Sequence, residues 1–184
     1  GQENPRWNLL QSLISNTRVW TKQATWAKSE DTLMQWLGLA TPRPTQEDFE
    51  RGVHCLFWLS GYPSLSIGHA EGVDLAIFGA TPSDVAVLVS CTTSPDLQAK
   101  FNTLLLQANR VSEKLPNADV VSAVFAPVEP DDLTIRTRRE AEESNVRLVL
   151  LPQLKELYQK VIGREWETAP DTLRWFLSGS KALY

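Results

Sequence analysis

The spacing of apolar residues changes several times along this chain, and each change predicts an element. Residues 5–40 read as helical and polar-aromatic. Asn16-Thr17 ends a first helix, and Ser29-Glu30-Asp31 starts a short one carrying Leu33, Trp36 and Leu37, with Gly38 as its stop. Pro42 and Pro44 bar a regular helix through Thr41–Thr45. Thr45 then offers a side-chain cap, and Glu47 and Asp48 put negative charge in the following first turn. Phe49, Val53, Leu56 and Phe57 recur at helical spacing until Gly61-Tyr62-Pro63.

The period then shortens to two. Ser64–Gly68 alternates as a half-exposed strand does. Gly72–Phe78 places Val73, Leu75 and Ile77 on one face and Asp74 and Ala76 on the other, and Gly79–Ser83 reads as a turn. Asp84–Ser90 is almost wholly apolar, which predicts a central strand covered on both faces. A helix opens at Ser94-Pro95 or Pro95-Asp96, with Leu97, Phe101, Leu104, Ala108, Val111 and Leu115 forming an amphipathic stripe. Val120–Ala126 follows as a strand, so a right-handed strand–helix–strand crossover is expected. Thr134–Ser144 is a charged helix, Val146–Leu151 a fifth strand, Gln153–Ile162 a helix, and Thr168–Leu177 a last helix opened by Pro170-Asp171. The order predicts an α/β fold, a three-layer sandwich around a central mixed sheet. It divides into a Trp-rich helical extension over 1–44, a core over 45–163, and a C-terminal helix and tail over 164–184.

Composition narrows the class. The 184 residues are 42% apolar and 22% charged, enough for one domain with a sizeable core. A net charge of −4 argues against a general nucleic-acid coat protein and is compatible with a centre that holds metal ions. Cys55 and Cys91 lack metal-site spacing and read as reduced core thiols, which suits a cytoplasmic protein. No signal peptide and no membrane-length apolar run occurs. The start at Gly1-Gln2 instead of methionine predicts a piece of a longer protein. Seven tryptophans, among them Trp7, Trp20, Trp26, Trp36 and Trp58 in the first third, read as packing groups or as a surface for a partner or for stacked bases.

No glycine-rich nucleotide fingerprint, Walker lysine motif or nucleophile elbow is present. The residue that stands out is Asp74, since aspartate is disfavoured within a strand. It reads either as a solvent-facing acid or as a carboxylate set to hold a divalent ion. Mg²⁺ on one or two carboxylates and a carbonyl can stabilise a phosphate and activate water. Glu50 and Lys100 have equally plain readings as surface groups, and Gln98 is a weaker polar candidate. His54 reads as packed and His69 as a solvated loop residue that, with Glu71, could line the same mouth. Arg138 and Arg139 precede Glu142 and Glu143 at pairing distance on one helix, or else contact phosphate.

Taken in order, the helix with Phe49-Glu50-Arg51, the strand with Gly72-Val73-Asp74-Leu75 and the strand end Ser90-Cys91-Thr92 resemble the core of the PD-(D/E)XK, restriction-endonuclease-like superfamily over roughly residues 46–163. The resemblance implies metal-dependent phosphodiester cleavage. Glu50 matches the helix glutamate, Asp74 the strand aspartate, and Ser90, Cys91 and Thr92 the acid-x-lysine slot, with the Cys91 carbonyl facing the metal. Serine and threonine replace the usual acid and lysine. Lys100, on the next helix, stands where some relatives carry a displaced lysine. The expected cofactor is Mg²⁺ or Mn²⁺, held by Asp74, Glu50 and Cys91, and the expected partner is DNA or RNA, with Arg138 and Arg139 on the phosphates. The competing expectation is a non-catalytic module of the same fold that binds nucleic acid, a protein partner or a second copy through the Trp-rich helices. A sensor domain joined to a separate effector is a further alternative.

Overall fold

The computed structural model describes residues 29–60, 64–66, 73–78 and 85–162. Helix α1 (Glu30–Trp36) is capped by Ser29, whose hydroxyl accepts from the Thr32 N–H at 3.2 Å. Helix α2 (Gln46–Leu59) is capped by Thr45, which accepts from the Asp48 N–H at 3.2 Å. Both starts were expected from their hydroxyl and acidic residues. Strands β1 (Ser64–Ser66), β2 (Leu75–Phe78) and β3 (Val85–Cys91) run antiparallel to one another in turn. After helix α3 (Gln98–Lys114), strand β4 (Asp119–Phe125) lies parallel to β3, and after helix α4 (Ile135–Glu143), β5 (Val146–Val149) lies parallel to β4. Helix α5 (Leu151–Ile162) follows. The result is a five-stranded mixed sheet in the order β1-β2-β3-β4-β5.

Alternation along β3 builds two cores. Val85, Val87, Val89 and Cys91 face a cluster with Leu33 and Leu37 of the first helical segment, Phe49, Val53, Leu56 and Phe57 of α2, and Leu154 and Leu157 of α5. Leu88 faces the other cluster, with Phe101 and Leu104 of α3 and Ala141 of α4. Helices therefore cover both faces, which explains why β3 is buried at every position. Cys55 and Cys91 are both buried and form no disulfide. Among the described residues no helix is long and apolar enough to cross a membrane.

Several expectations need correction. Val73 packs with Ala76 in the α3-side core and not with Leu75 and Ile77. The regular strand begins only at Leu75, so strict alternation does not extend back through Asp74. Asp74 itself is buried at 8% exposure, which removes the solvent-facing reading. Helix α3 opens at Gln98, three residues past Pro95, because the Thr92 and Ser94 hydroxyls accept from the Ser94 and Asp96 N–H groups and hold a turn there. Strand β5 stops at Val149, and α5 starts at Leu151, where the Gln153 side chain accepts from the Leu150 N–H. The expected helices before Ser29 and after Ile162, His69, Glu71 and the 79–83 turn lie outside the described residues.

Gly38 ends the first helical segment with φ of 74°, and a Cβ built there would stand 2.5 Å from Pro127 Cβ. Gly38→Ala would combine a left-handed backbone with that overlap. Its expected cost is about 2 kcal/mol, read as a lower urea midpoint at unchanged m value.

Candidate functional site

The carboxyl end of β3 brings the two helical layers to one point. Asp74 lies one residue before the Leu75–Val89 pair and thus across from Ser90. Its N–H donates to the Val89 carbonyl at 2.9 Å. Its Oδ2 accepts from the Cys91 N–H at 2.6 Å and from the Ser90 hydroxyl at 3.4 Å. Among the described residues none donates a hydrogen bond to Oδ1. Burying a carboxylate is costly unless its charge is satisfied. The Cys91 amide and Ser90 hydroxyl satisfy one oxygen of this carboxylate.

Helix α2 approaches Cys91 from the opposite layer, at its carbonyl. Gln46 Nε2 donates to the Cys91 carbonyl at 2.8 Å and to Glu50 Oε1 at 2.7 Å. Gln46 Oε1 accepts from the Thr93 N–H at 3.0 Å. Glu50 is half-buried there. Further along the same ridge of α2, at steps of four, come His54 and Trp58. His54 Nδ1 and Ser64 Oγ share a 2.6 Å hydrogen bond, and Trp58 Nε1 donates to the Ser64 carbonyl at 3.1 Å. One polar line of α2 thus runs from the end of β3 to the edge strand β1.

Lys100 enters from the first turn of α3, half-buried. Its charge reaches the Cys91 thiol. Burial pushes that thiol well above its usual range, the Asp74 and Glu50 carboxylates push the same way, and the Lys100 ammonium opposes them. Three charged residues separated by tens of positions therefore act on one buried residue, Cys91.

Other predicted residues do not join this group. Thr92 is buried, donates its N–H to the Phe125 carbonyl at 3.0 Å and gives its hydroxyl to the turn at Ser94. Gln98 donates to Glu140 of α4 at 2.6 Å, away from the centre. Arg138 bonds the Pro130 carbonyl and lies 3.8 Å from Asp131, while Arg139 lies 3.5 Å from Glu143. Gln46 was not singled out from the sequence. The available signal was its place four residues before Glu50 at a helix start. What makes it part of the site are bonds to residues 45 and 47 positions away.

Beside this centre a cavity of about 250 Å³ opens past the ends of β3, β4 and β5, lined by Arg43, Thr93, Pro127, Glu129 and Asp132 among others. Ligands of open α/β sheets bind outside the carboxyl ends of parallel strands, and this cavity lies there. Among the described residues no group of three or more His, Cys, Asp or Glu side chains is arranged to hold a metal ion. The oxygen set at the strand end is instead two carboxylates and one backbone carbonyl. No protein-family model, curated protein or solved structure matches the chain.

Proposed function

We propose that the chain carries a restriction-endonuclease-like domain that acts on phosphodiester bonds of nucleic acid with a divalent ion, Mg²⁺ or Mn²⁺. The observation that carries this reading is the convergence of Asp74, bonded to the Cys91 N–H, and of Glu50, linked through Gln46 to the Cys91 carbonyl, at the end of β3, with the Lys100 charge near enough to act on the Cys91 thiol. Collecting two acids and a lysine at the end of a buried strand does little for the fold and suits a site. The donor chemistry fits a hard cation: the Asp74 and Glu50 carboxylates and the Cys91 carbonyl are all oxygens, and Asp74 Oδ1 accepts no hydrogen bond among the described residues. When bound, the ion would polarise the phosphate and acidify a water. The chain's own residues supply the rest. Ser90 and the Cys91 N–H orient the Asp74 carboxylate, and Lys100 offsets negative charge developing on the phosphate. Arg139, 69% exposed and loosely paired, is better placed than Arg138 to exchange its acid for a phosphate of the substrate.

The test is a panel of single- and double-stranded DNA and RNA incubated with Mg²⁺ or Mn²⁺. Wild type should cut at least one substrate, Asp74→Ala should cut none, and Lys100→Ala should lose about 10²–10³-fold in rate. Cleavage that survives unchanged in Asp74→Ala would sink the assignment.

A second reading is favoured by Ser90, fully buried where the superfamily carries an acid, and by Thr92, whose hydroxyl is used in a turn. It makes the domain a non-catalytic module that binds nucleic acid or a protein partner. On that reading neither metal raises the melting temperature, since a ligand stabilises only the state it binds.

A further inference from the structure

Every polar atom of the Gln46 amide is committed. The two N–H groups of Nε2 reach Glu50 Oε1 at 2.7 Å and the Cys91 carbonyl at 2.8 Å, and Oε1 accepts from the Thr93 N–H at 3.0 Å with the Thr93 hydroxyl at 3.5 Å. An amide nitrogen has two hydrogens, so both are used. Two of the three oxygens that fit a divalent ion are therefore bridged by one neutral nitrogen. Mg²⁺ would hold such oxygens at about 2.0–2.1 Å, a separation that leaves no room for an amide nitrogen bonded to both. The Thr93 bond fixes which end of the amide faces the centre, because Oε1 must point at a backbone donor.

We propose that Gln46 is a displaceable plug of the metal centre. In the resting protein its amide stands in for the ion, satisfying Glu50 and the Cys91 carbonyl, and an ion enters only as Gln46 swings away from both. The inference rests on the metal-centre reading above. It differs from it in assigning the control of metal affinity to a residue that is not itself a ligand. An entering ion exchanges one charge-assisted hydrogen bond, to the Glu50 carboxylate, and one neutral bond, to the Cys91 carbonyl, for ion–oxygen contacts, and Gln46 recovers its bonds in water or with Thr93 alone. Removing the amide removes the competitor without touching any of the three oxygens.

The experiment is direct Mn²⁺ binding, with free Mn²⁺ followed by electron paramagnetic resonance and melting temperature read in parallel. Wild type, Gln46→Ala and Asp74→Ala are compared. Gln46→Ser replaces Gln46→Ala if the latter lacks a cooperative melt without metal. The expected result is half-saturation of the Gln46 variant at about tenfold lower Mn²⁺ than wild type, with no binding by Asp74→Ala. Equal or weaker binding by the Gln46 variants, with wild type still binding, overturns the plug and leaves the metal centre standing. Absence of Mn²⁺ binding in all of them overturns both.

Discussion

Phe125→Ala should destabilise the protein by about 3–5 kcal/mol, seen as a fall in the urea midpoint. The ring is fully buried at the last position of β4 and meets Phe57 of α2 edge-on, with centroids 5.8 Å apart and planes at 65°. It stands beside Cys91 in the parallel register of β3 and β4 and beside Val149 of β5. Truncation would leave a cavity where three strands and α2 meet, and neither the strands nor the helix can close it without giving up sheet hydrogen bonds. The same residue accepts the Thr92 N–H through its carbonyl, so it also fixes the loop that leads from Cys91 towards Lys100. Phe57→Ala belongs in the same series. The coupling energy of the double variant should be about 0.5–1.5 kcal/mol for an edge-on aromatic pair. A loss below about 1 kcal/mol for Phe125→Ala would mean that this face is not the tightly packed one.

What was legible in the sequence divides along the range of the interactions. The starts of α1 and α2 depend on Ser29 and Thr45 bonding N–H groups three residues on, so local pattern suffices for both. The central place of β3 is likewise written in its unbroken apolar run. The face of Val73 was misread because alternation holds only inside a regular strand, and the chain bends at Asp74 before β2 begins. The start of α3 was misread because proline marks a favourable first turn, while the Thr92 and Ser94 hydroxyls capture the backbone first. At the site, Asp74 stood out because it interrupts an apolar pattern, whereas Gln46 is an ordinary residue for a helix start. Its role comes from Cys91 and Thr93, which only the assembled sheet brings to it. Arg138 and Arg139 illustrate the reverse case. Adjacent charges drew attention, and the structure engages them with Asp131, the Pro130 carbonyl and Glu143.

The polar ridge of α2 makes the site end of this helix sensitive to acid through a residue two turns away from Glu50's partner. His54 is 7% exposed, lies edge-on to Trp58 at 6.2 Å and is bonded to Ser64 of β1. Burial lowers its pKa from 6.5 to about 4. An imidazole held neutral in the fold takes up a proton more readily in the unfolded chain, so acid favours unfolding. The contribution is fully present above pH 6.5 and is lost as pH falls from there through about 4. Integrated over that window it amounts to about 3 kcal/mol. Urea unfolding of wild type and His54→Gln at pH 7 and pH 4 measures it. Carboxylates titrate in both proteins, so the difference between their pH slopes isolates the histidine. Wild type should lose about 3 kcal/mol more than the variant across the interval, and equal losses would show that His54 takes its proton within the fold. Because His54, Glu50 and Gln46 share one ridge, the same acidification should loosen the hold of α2 on β1 before it reaches the Cys91 peptide. Amide exchange of α2 measured near pH 5 would then show the Ser64 end opening first, and an opening that begins at Gln46 would place the acid-sensitive contact elsewhere.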